Sequence, residues 1–207
     1  MEPEPGPRTS RGLRTRTRLR ESARRIFAER GYAGARVEDI VADAGVSHGT
    51  FYTYFENKAA VLDALIDVTS TELQTVVDEP WDGPDAPSTV QSVIDRFVAV
   101  FAEHGDIVGV WLEASAHDQH FRQRLRDVRA GYVRRVAEVL GPVLADSPHR
   151  AVDAATALVA MVEGYASQGM ADQALGRRAE AVRTLSRLWV GGLLALAEDR
   201  ESGGASS

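Results

Sequence analysis

The segment from Val37 to Lys58, VEDIVADAGVSHGTFYTYFENK, constrains the fold of this chain more than any other part. It contains two short stretches with helical spacing of their apolar residues, and only the turn AGVS separates them. Gly45 suits the left-handed conformation that follows a helix end, and Ser47 suits the cap of the next helix. We therefore expect two short helices, over about 37–44 and 47–55, joined by this turn.

The apolar pattern of the rest of the chain is also helical, without a convincing run of the alternation that is typical of strands. We expect a first helix from a Thr15 cap to Gly31 and a fourth from an Asn57 cap to about Val77. The Pro- and Gly-rich stretch 78–88 predicts a loop, closed by a capping box that begins at Ser88. Five more helices are expected over about 88–104, 107–116, 119–140, 148–173 and 178–198, so the fold class is all-α with about nine helices.

Composition restricts the possible classes of protein. The chain has no cysteine, which excludes disulfides and thiolate metal sites and fits a reducing interior. No apolar run approaches the length of a membrane span, and the first twelve residues lack the apolar segment of a secretory signal. We therefore expect a cytoplasmic protein that makes no membrane contact.

Charge is distributed unevenly along the chain. The whole chain has a formal charge of −6, whereas residues 1–36 contain ten arginines and four glutamates, a balance of +6. A local basic face of this kind can bind phosphates even in an acidic protein. Arginines on the solvated face of a helix explain the same pattern, so the asymmetry is only suggestive.

Helical phase divides the four aromatic residues of the segment GTFYTYF. At about 100° per residue, Phe51 and Phe55 fall on one side, Tyr52 falls on the opposite side, and Tyr54 lies at the border. We expect Phe51 and Phe55 to anchor the helix in the core. Tyr52 has no obvious core partner and is available to a ligand.

The side of this helix that carries Tyr52 also offers an imidazole, two hydroxyls and a glycine, from His48, Thr50, Thr53 and Gly49. Hydroxyl groups bond phosphates or base edges, and glycine permits a close approach of the backbone. Such a face suits the second helix of a helix-turn-helix, which enters the DNA major groove. Short polar residues at a helix start are also ordinary caps, and the pattern alone leaves both interpretations open.

The stretch RESARRIFAERGYAGARVEDIVADAGVSHGTFYTYFENKAAVLDALID resembles the DNA-binding domain of TetR-type transcriptional regulators. The resemblance covers about 15–67 and rests on four separate elements, FAERGY, VEDIVADAGVS, GTFYTYF and NK. It implies a sequence-specific regulator of transcription that binds double-stranded operator DNA, not an enzyme, and no cofactor. It further implies a repressor that a hydrophobic small molecule releases from the operator, although an activator on the same fold stays open.

The resemblance implies operator contacts for the turn and the recognition helix, and a phosphate contact for the lysine that follows. The matching residues are Ser47, His48, Gly49, Tyr52, Thr53, Tyr54 and Lys58. Thr50 lies beside them, Arg36 replaces the Thr or Ser that commonly caps the second helix, and Arg16 can belong to a basic arm that reaches the minor groove. Arg20 and Arg24 stand where family members usually carry apolar residues, which predicts a thinner inner face of the first helix.

We expect a flexible basic arm over 1–13, a three-helix DNA-binding domain over 14–74 with its helix-turn-helix motif at about 37–56, a larger helical domain over 75–199 for ligand binding and dimerisation, and a disordered tail over 200–207. In the resembling family the last two helices of each subunit form a four-helix dimer interface. The apolar stripes predict the interface residues Ala155, Val159, Val162, Leu185, Leu188, Gly192 and Leu193. The buried core of a monomer would give the same stripes.

Large apolar side chains in the second half of the chain suit a pocket for a hydrophobic small molecule. The expected lining residues are Phe97, Phe101, Trp111, Met161, Tyr165 and Trp189, although each of them also suits ordinary core packing. The stretch RLWVGG, which contains Trp189, resembles the corresponding part of the ethionamide-resistance type of repressor, in which the matching tryptophan lines an elongated pocket.

One short motif is compatible with a different class of protein. Glu113, His117 and His120 lie at i, i+4 and i+7, which is one face of an unbroken helix and a possible metal site of a helical enzyme. The stretch EASAHDQH also suits a junction between two helices, where these residues would be exposed to solvent. No Gly-x-Ser-x-Gly, P-loop or GxGxxG motif is present.

Overall fold

The computed structural model describes the backbone of residues 10–81, 87–142, 144, 148–172 and 178–203. These residues form nine α-helices and no strand, which confirms the all-α class. The helices are α1 (Ser10–Gly34), α2 (Val37–Ala44), α3 (His48–Tyr54), α4 (Lys58–Asp78), α5 (Pro87–Glu103), α6 (Gly105–His117), α7 (Gln119–Leu140), α8 (Pro148–Asp172) and α9 (Arg178–Gly203).

The expected capping residues form hydrogen bonds that define the ends of the helices around the turn AGVS. Ser47 Oγ accepts a hydrogen bond from the Thr50 amide at 3.1 Å, and Asn57 Oδ1 accepts one from the Ala60 amide at 2.9 Å. Gly45 ends α2 in the left-handed conformation, with φ of 60°. These contacts use backbone groups that a helix end leaves without an intrahelical partner, which explains why helices of seven and eight residues are well defined.

The structure corrects three predicted helix ends. α1 begins at Ser10, and the Thr15 hydroxyl donates to the Arg11 carbonyl within the helix instead of capping it. α5 begins at Pro87, because proline is well suited to the first helical position, so Ser88 lies inside the helix. α9 continues to Gly203, so the tail predicted over 200–207 is helical at its start. Residues 1–9, 82–86, Ser147 and 204–207, which include parts of the predicted arm, loop and tail, lie outside the described residues.

The chain divides into two compact units. Unit 1 consists of residues 1–70 and 106–123, and unit 2 consists of residues 71–105 and 124–207. α6 therefore groups with the helix-turn-helix region, although it follows two helices later in the chain. The predicted boundary between residues 74 and 75 had placed α6 in the larger domain for ligand binding and dimerisation.

Unit 1 has an apolar core to which α1, α2, α3, α4 and α6 contribute. Phe27 and Phe51 are fully buried, and the indole N–H of the buried Trp111 donates to the Phe121 carbonyl at 3.1 Å. Other buried residues of this core are Leu19, Ala23, Ile26, Ile40, Val41, Phe55, Leu62, Ile66, Ile107 and Ala114.

Unit 2 is a bundle in which α5 contacts both α8 and α9. Its buried side chains come from five helices, and Arg178 at the start of α9 donates to the Asp95 carboxylate and carbonyl on α5. The core residues include Val76, Val77, Val90, Ile94, Val98, Leu140, Ala155, Val182, Leu185 and Leu193. Within the described part of the chain, no helix combines the length and apolar character that a bilayer crossing requires.

Candidate functional site

α3 has one buried and one exposed side, as helical phase predicts. Phe51 is 0% exposed and Phe55 is 4% exposed, whereas Tyr52 is 57% exposed. Tyr54 lies between these extremes, at the border. The rings of Tyr52 and Phe51 pack edge to face with centroids 5.4 Å apart, and this contact helps to orient the exposed phenol. Phe51 and Phe55 thus fix α3 to the core, and the helix exposes one large aromatic side chain, Tyr52, to solvent.

Small polar groups surround Tyr52 on the exposed side. His48, Gly49 and Thr53 are exposed, and Thr50 is half-buried. The Thr53 hydroxyl donates to the Gly49 carbonyl at 2.9 Å, and the hydroxyls of Thr50 and Ser47 lie 3.0 Å apart. The bonds of Thr53 and Ser47 are local helix and cap contacts, and they leave further acceptor sites on both hydroxyl oxygens.

Arginines extend this exposed surface. Arg16 and Arg36 are exposed, and the Arg16 guanidinium lies over the Phe55 ring at 5.5 Å from its centroid. Arg36 precedes α2 in an extended conformation, and its amide donates to Asp39 Oδ2 at 3.2 Å. Asp39 thus accepts from the Arg36 amide, as the acidic residue of a capping box does, whereas Arg36 provides no side-chain cap and its side chain lies on the surface.

Lys58, the first residue of α4, has protein partners in this structure. Its ammonium donates to the carbonyls of Tyr32 and Ala35 at 2.7 and 2.9 Å, and the Ala33 carbonyl lies 3.4 Å away. The ammonium also lies 4.6 Å from the centroid of the Tyr32 ring. Burial lowers the pKa of Lys58, and the negative charge of Glu113 acts in the opposite direction. Because an ammonium has three donors, a phosphate contact by Lys58, which stays a prediction, would compete with these carbonyls.

Glu113 on α6 binds the amides of the same segment, which follows the break in the helical backbone of α1 at Gly31. Its carboxylate accepts hydrogen bonds from the Tyr32 amide at 2.9 Å and the Ala33 amide at 3.1 Å. Gly31 precedes these amides with φ of 68° and ψ of 174°, in a region that essentially only glycine adopts. We call this arrangement of Gly31, Glu113 and Lys58 around residues 31–35 the α1–α2 clamp.

Within unit 1, two further polar contacts join α1 to the start of α6 and α4 to the start of α7. Arg24 forms a two-pronged ion pair with Asp106, with N–O distances of 2.6 and 2.8 Å. His120 contacts the Asp63 carboxylate at 2.8 Å. Arg24, which was expected only to thin the apolar face of α1, thus binds the N-terminal turn of α6. Sequence reasoning missed this role because the two residues are 82 positions apart.

The three residues of the metal alternative do not form a metal site together. The Glu113 carboxylate binds the α1–α2 turn, and His120 pairs with Asp63. His117 is exposed at the end of α6. Among the described residues, no group of three or more His, Cys, Asp or Glu side chains is placed to hold a metal ion.

Unit 2 contains a small, partly open cavity of about 30 Å³. Phe97 and Trp189 of the predicted pocket line it, whereas Phe101, Met161 and Tyr165 are not among its lining residues, and Trp111 belongs to unit 1. The complete lining is Val77, Trp81, Val93, Ile94, Phe97, Tyr132, Val136, Val159, Val162 and Trp189.

Two residues that line this cavity each have a buried polar atom without a hydrogen bond to any described residue, and neither atom forms part of the cavity surface. Tyr132 and Trp189 are both 3% exposed, and neither the Tyr132 hydroxyl nor the Trp189 Nε1 has a partner within the part of the chain that the structure describes. Burial, with a smaller contribution from the Glu163 carboxylate, raises the pKa of Tyr132 well above its usual range, so its phenol is neutral at physiological pH. Most buried polar groups in proteins are paired, which makes these two exceptional.

The outer side of α8 and α9 exposes apolar and small residues. Leu188 is 58% exposed and Val152 is 48% exposed, and no atom lies within 4 Å of a Cβ built at Gly191 or Gly192. Five of the residues predicted for a dimer interface are instead buried in their own chain: Ala155, Val159, Val162, Leu185 and Leu193. Only Leu188 and Gly192 of that set are accessible to a second subunit, so an interface here would use the exposed neighbours of the predicted residues.

Known proteins resemble this chain over most of its length, and a family model matches its first part. Residues 19–65 match the family described as "Bacterial regulatory proteins, tetR family". The HTH-type transcriptional repressor DhaR of Mycobacterium sp. (strain GP1) is 33% identical over 85 residues, 41% of this chain and 42% of that protein. The HTH-type transcriptional regulator EthR of Mycolicibacterium smegmatis is 26% identical over 176 residues, 82% of this chain and 81% of that protein.

The fold of this chain is also similar to that of a solved regulator. A tetR-family transcriptional regulator from Streptomyces coelicolor superimposes with a TM-score of 0.74 at 21% identity, over 93% of this chain and 86% of that one. The match to DhaR spans less than half of that protein, whereas the match to EthR and the fold comparison also cover unit 2. All three proteins are named as regulators of transcription. The sequence of residues 19–65 therefore matches the tetR family of bacterial regulatory proteins, and the likeness of the chain to the Streptomyces protein is one of fold.

Proposed function

We propose that this protein is a homodimeric transcriptional repressor that binds operator DNA through α3 and leaves it when a hydrophobic small molecule binds in unit 2. The observation that carries the proposal is the geometry of α3. Phe51 and Phe55 fix one side of the helix, and Tyr52 projects from the other among small polar residues. A helix of this kind enters the major groove without rearrangement of its own domain.

The proposed DNA contacts fall into two groups. Tyr52, Thr53 and His48 face outward on α3 and would read base edges, because their donors and acceptors can reach into the groove. The other residues would bind phosphates and set the position of the domain on the duplex. This second group consists of Arg16, Arg36, Ser47, Gly49, Thr50, Tyr54 and, in competition with its carbonyl contacts, Lys58.

In this proposal, the helices α4 and α7 transmit ligand binding to the DNA-binding residues, because each helix has residues in unit 1 and residues that line the cavity. α4 begins with Lys58 in the α1–α2 clamp, and its later residue Val77 lines the cavity. α7 has Phe121 in the core of unit 1, and Tyr132 of the same helix lines the cavity. A molecule larger than the cavity must displace these helices as it enters. Release of DNA follows if the ligand binds the displaced arrangement more tightly than the DNA-bound one.

The name of DhaR includes the word repressor, which supports repression as the direction of control for this chain. A repressor blocks transcription by occupying DNA near a promoter and needs no further protein partner. The test is a gel-shift titration with the intergenic DNA beside the protein's own gene, followed by transcription from that DNA in vitro. Increased transcription on addition of the protein would contradict repression without contradicting DNA binding.

We expect Tyr52→Ala to weaken binding of that DNA by at least about tenfold, because each half-site loses a base or phosphate contact worth about 1–2 kcal/mol. Since Tyr52 is mostly exposed, the thermal midpoint of unfolding should change by only a few degrees. Gln91→Ala, at an exposed position on α5, is the control and should bind DNA as the wild type does. Equal affinity of the Tyr52 variant and the control would exclude this face of α3 as the operator-binding surface.

A further inference from the structure

We infer that α1 carries a second DNA-binding surface, formed by Arg11, Arg14 and Arg18, which binds the sugar–phosphate backbone beside the half-site that α3 occupies. We call these three residues the arginine strip. The inference rests on the proposed function, because it extends the DNA contacts of the same unit. It assigns to the strip affinity for any duplex, whereas the recognition of sequence stays with α3.

Helical phase and charge define the strip. Because α1 begins at Ser10, positions 11, 14 and 18 are helical, and they fall within about 60° of one another around the helix axis. All three side chains are exposed, and residues 10–20 contain five arginines and no acidic residue. The strip extends for about 10 Å along the helix, which is the axial length of about three phosphates of one DNA strand.

The guanidinium groups of the strip are available to phosphates. Further along α1, Arg24 and Arg25 each pair with a carboxylate at 2.6 Å, that of Asp106 and that of Asp43. Within the part of the chain that the structure describes, the three arginines of the strip form no such ion pair. A phosphate would therefore displace no carboxylate, and arginine can bind phosphate oxygens through two parallel N–H donors.

Arg18 places the strip beside the turn of the helix-turn-helix. Its Nη2 lies 3.4 Å from the carbonyl oxygen of Gly45, the residue that ends α2 and begins the turn. Ser47, two residues further on, caps α3 and is one of the proposed phosphate contacts. The neighbouring Arg16 lies over the ring of Phe55, at the opposite end of α3. Arginines of α1 are thus found near both ends of the helix that would lie in the major groove.

The helical conformation of this segment determines which part of the DNA it can contact. An α-helix with its side chains is about 10 Å wide or more, whereas the minor groove of B-DNA is about 6 Å wide. Residues 10–18 are helical and therefore cannot enter the minor groove, as a flexible arm would. Since α3 would fill the major groove of the half-site, the phosphates that border this groove are the partners left for the strip.

The experiment measures binding of the full-length protein to two labelled duplexes by fluorescence anisotropy, over a range of about 50 to 300 mM NaCl. One duplex is the intergenic DNA beside the protein's own gene, and the other has an unrelated sequence of equal length and base composition. Arg14→Gln removes one guanidinium of the strip. Arg134→Gln, at an exposed position on α7 in unit 2, removes the same charge elsewhere and is the control. Circular dichroism verifies that both variants keep their helical content.

We expect Arg14→Gln to weaken binding of both duplexes by the same factor, about three- to tenfold. The slope of log K against log salt concentration should decrease in magnitude by about 1–2, because a dimer carries two strips. Arg134→Gln should bind both duplexes within about twofold of the wild type, with an unchanged slope.

A slope for Arg14→Gln equal to that of the control would overturn the strip and leave α3 as the operator-binding surface. A loss confined to the intergenic duplex would show that Arg14 reads bases, and the assignment to the backbone would then be wrong. If the wild type did not distinguish the two duplexes, sequence-specific binding in the proposed function would fail. An equal loss on both duplexes would support the strip even in that case.

Discussion

Replacement of Gly31 by alanine is expected to lower the free energy of unfolding of unit 1 by about 3–5 kcal/mol. The backbone of Gly31, with φ of 68° and ψ of 174°, costs about 1–3 kcal/mol for a residue with a Cβ atom. A Cβ at this position would lie 2.7 Å from Glu113 Oε2 and 3.0 Å from Oε1. The carboxylate would have to move away from the Tyr32 and Ala33 amides, and hydrogen bonds to a charged group contribute about 1.5–3 kcal/mol.

Gly34→Ala is the matched control for this prediction. Gly34 lies three residues away, its φ is not positive, and a Cβ there would meet only the Arg30 Cβ at an ordinary distance of 3.6 Å. We expect its stability to lie within about 1 kcal/mol of the wild type. Urea denaturation, followed by circular dichroism, measures both variants, and hydrogen exchange separates unit 1 from unit 2 if they unfold independently. A Gly31 variant as stable as the Gly34 variant would contradict the clamp.

The Glu113→Ala variant separates the two causes of the expected loss. In a Gly31→Ala, Glu113→Ala double variant no carboxylate remains to collide with the new Cβ, whereas the unfavourable backbone conformation is unchanged. We therefore expect the double variant to lose less stability than the sum of the two single variants. An additive result would indicate that backbone strain alone accounts for the effect of Gly31→Ala.

The α1–α2 clamp also separates what the sequence could predict from what it could not. The letters ERG predicted a helix end at Gly31, and the structure has a break in the helical backbone there, after which α1 continues to Gly34. A local rule about backbone conformation was sufficient to locate this break. The sequence also contained Glu113, but it favoured a metal ligand or a solvated residue there. Its true partners, the Tyr32 and Ala33 amides, are 81 and 80 positions away. No local pattern encodes such a contact, which depends on how α6 returns to α1.

The same distinction holds for the sites. The two sides of α3 followed from helical phase alone, since Phe51 and Tyr52 differ by one step of about 100°. The cavity was predicted less well, because every large apolar residue of a helical bundle is a candidate and only the packing of five helices selects Val77, Tyr132 and Val136. For α8 and α9, the periodicity identified apolar stripes but could not tell the side that faces the chain's own core from the side that is left exposed.

We propose that the two subunits of the dimer meet at the exposed side of α8 and α9. A substitution at this side has the second large expected effect. Leu188, at 58% exposure, is the most exposed large apolar residue of α9, and the neighbouring Gly191 and Gly192 leave room for a helix of a second subunit to approach closely. In a two-fold symmetric interface each residue occurs twice, so one substitution changes two places. Leu188→Glu would bury two carboxylates without counter-charges, at a cost of several kcal/mol.

We therefore expect Leu188→Glu to raise the dimer dissociation constant by at least about a hundredfold, as measured by analytical ultracentrifugation over a range of concentrations. Operator affinity should fall with it, because two half-sites are bound together only when one dimer carries both copies of α3. Val68→Glu, at an exposed apolar position on α4, is the control and should leave the dimer intact. If Leu188→Glu remained dimeric and bound DNA normally, the subunits would meet elsewhere. If it became monomeric yet kept its DNA affinity, a single copy of α3 would account for recognition, and the requirement for a dimer would be wrong.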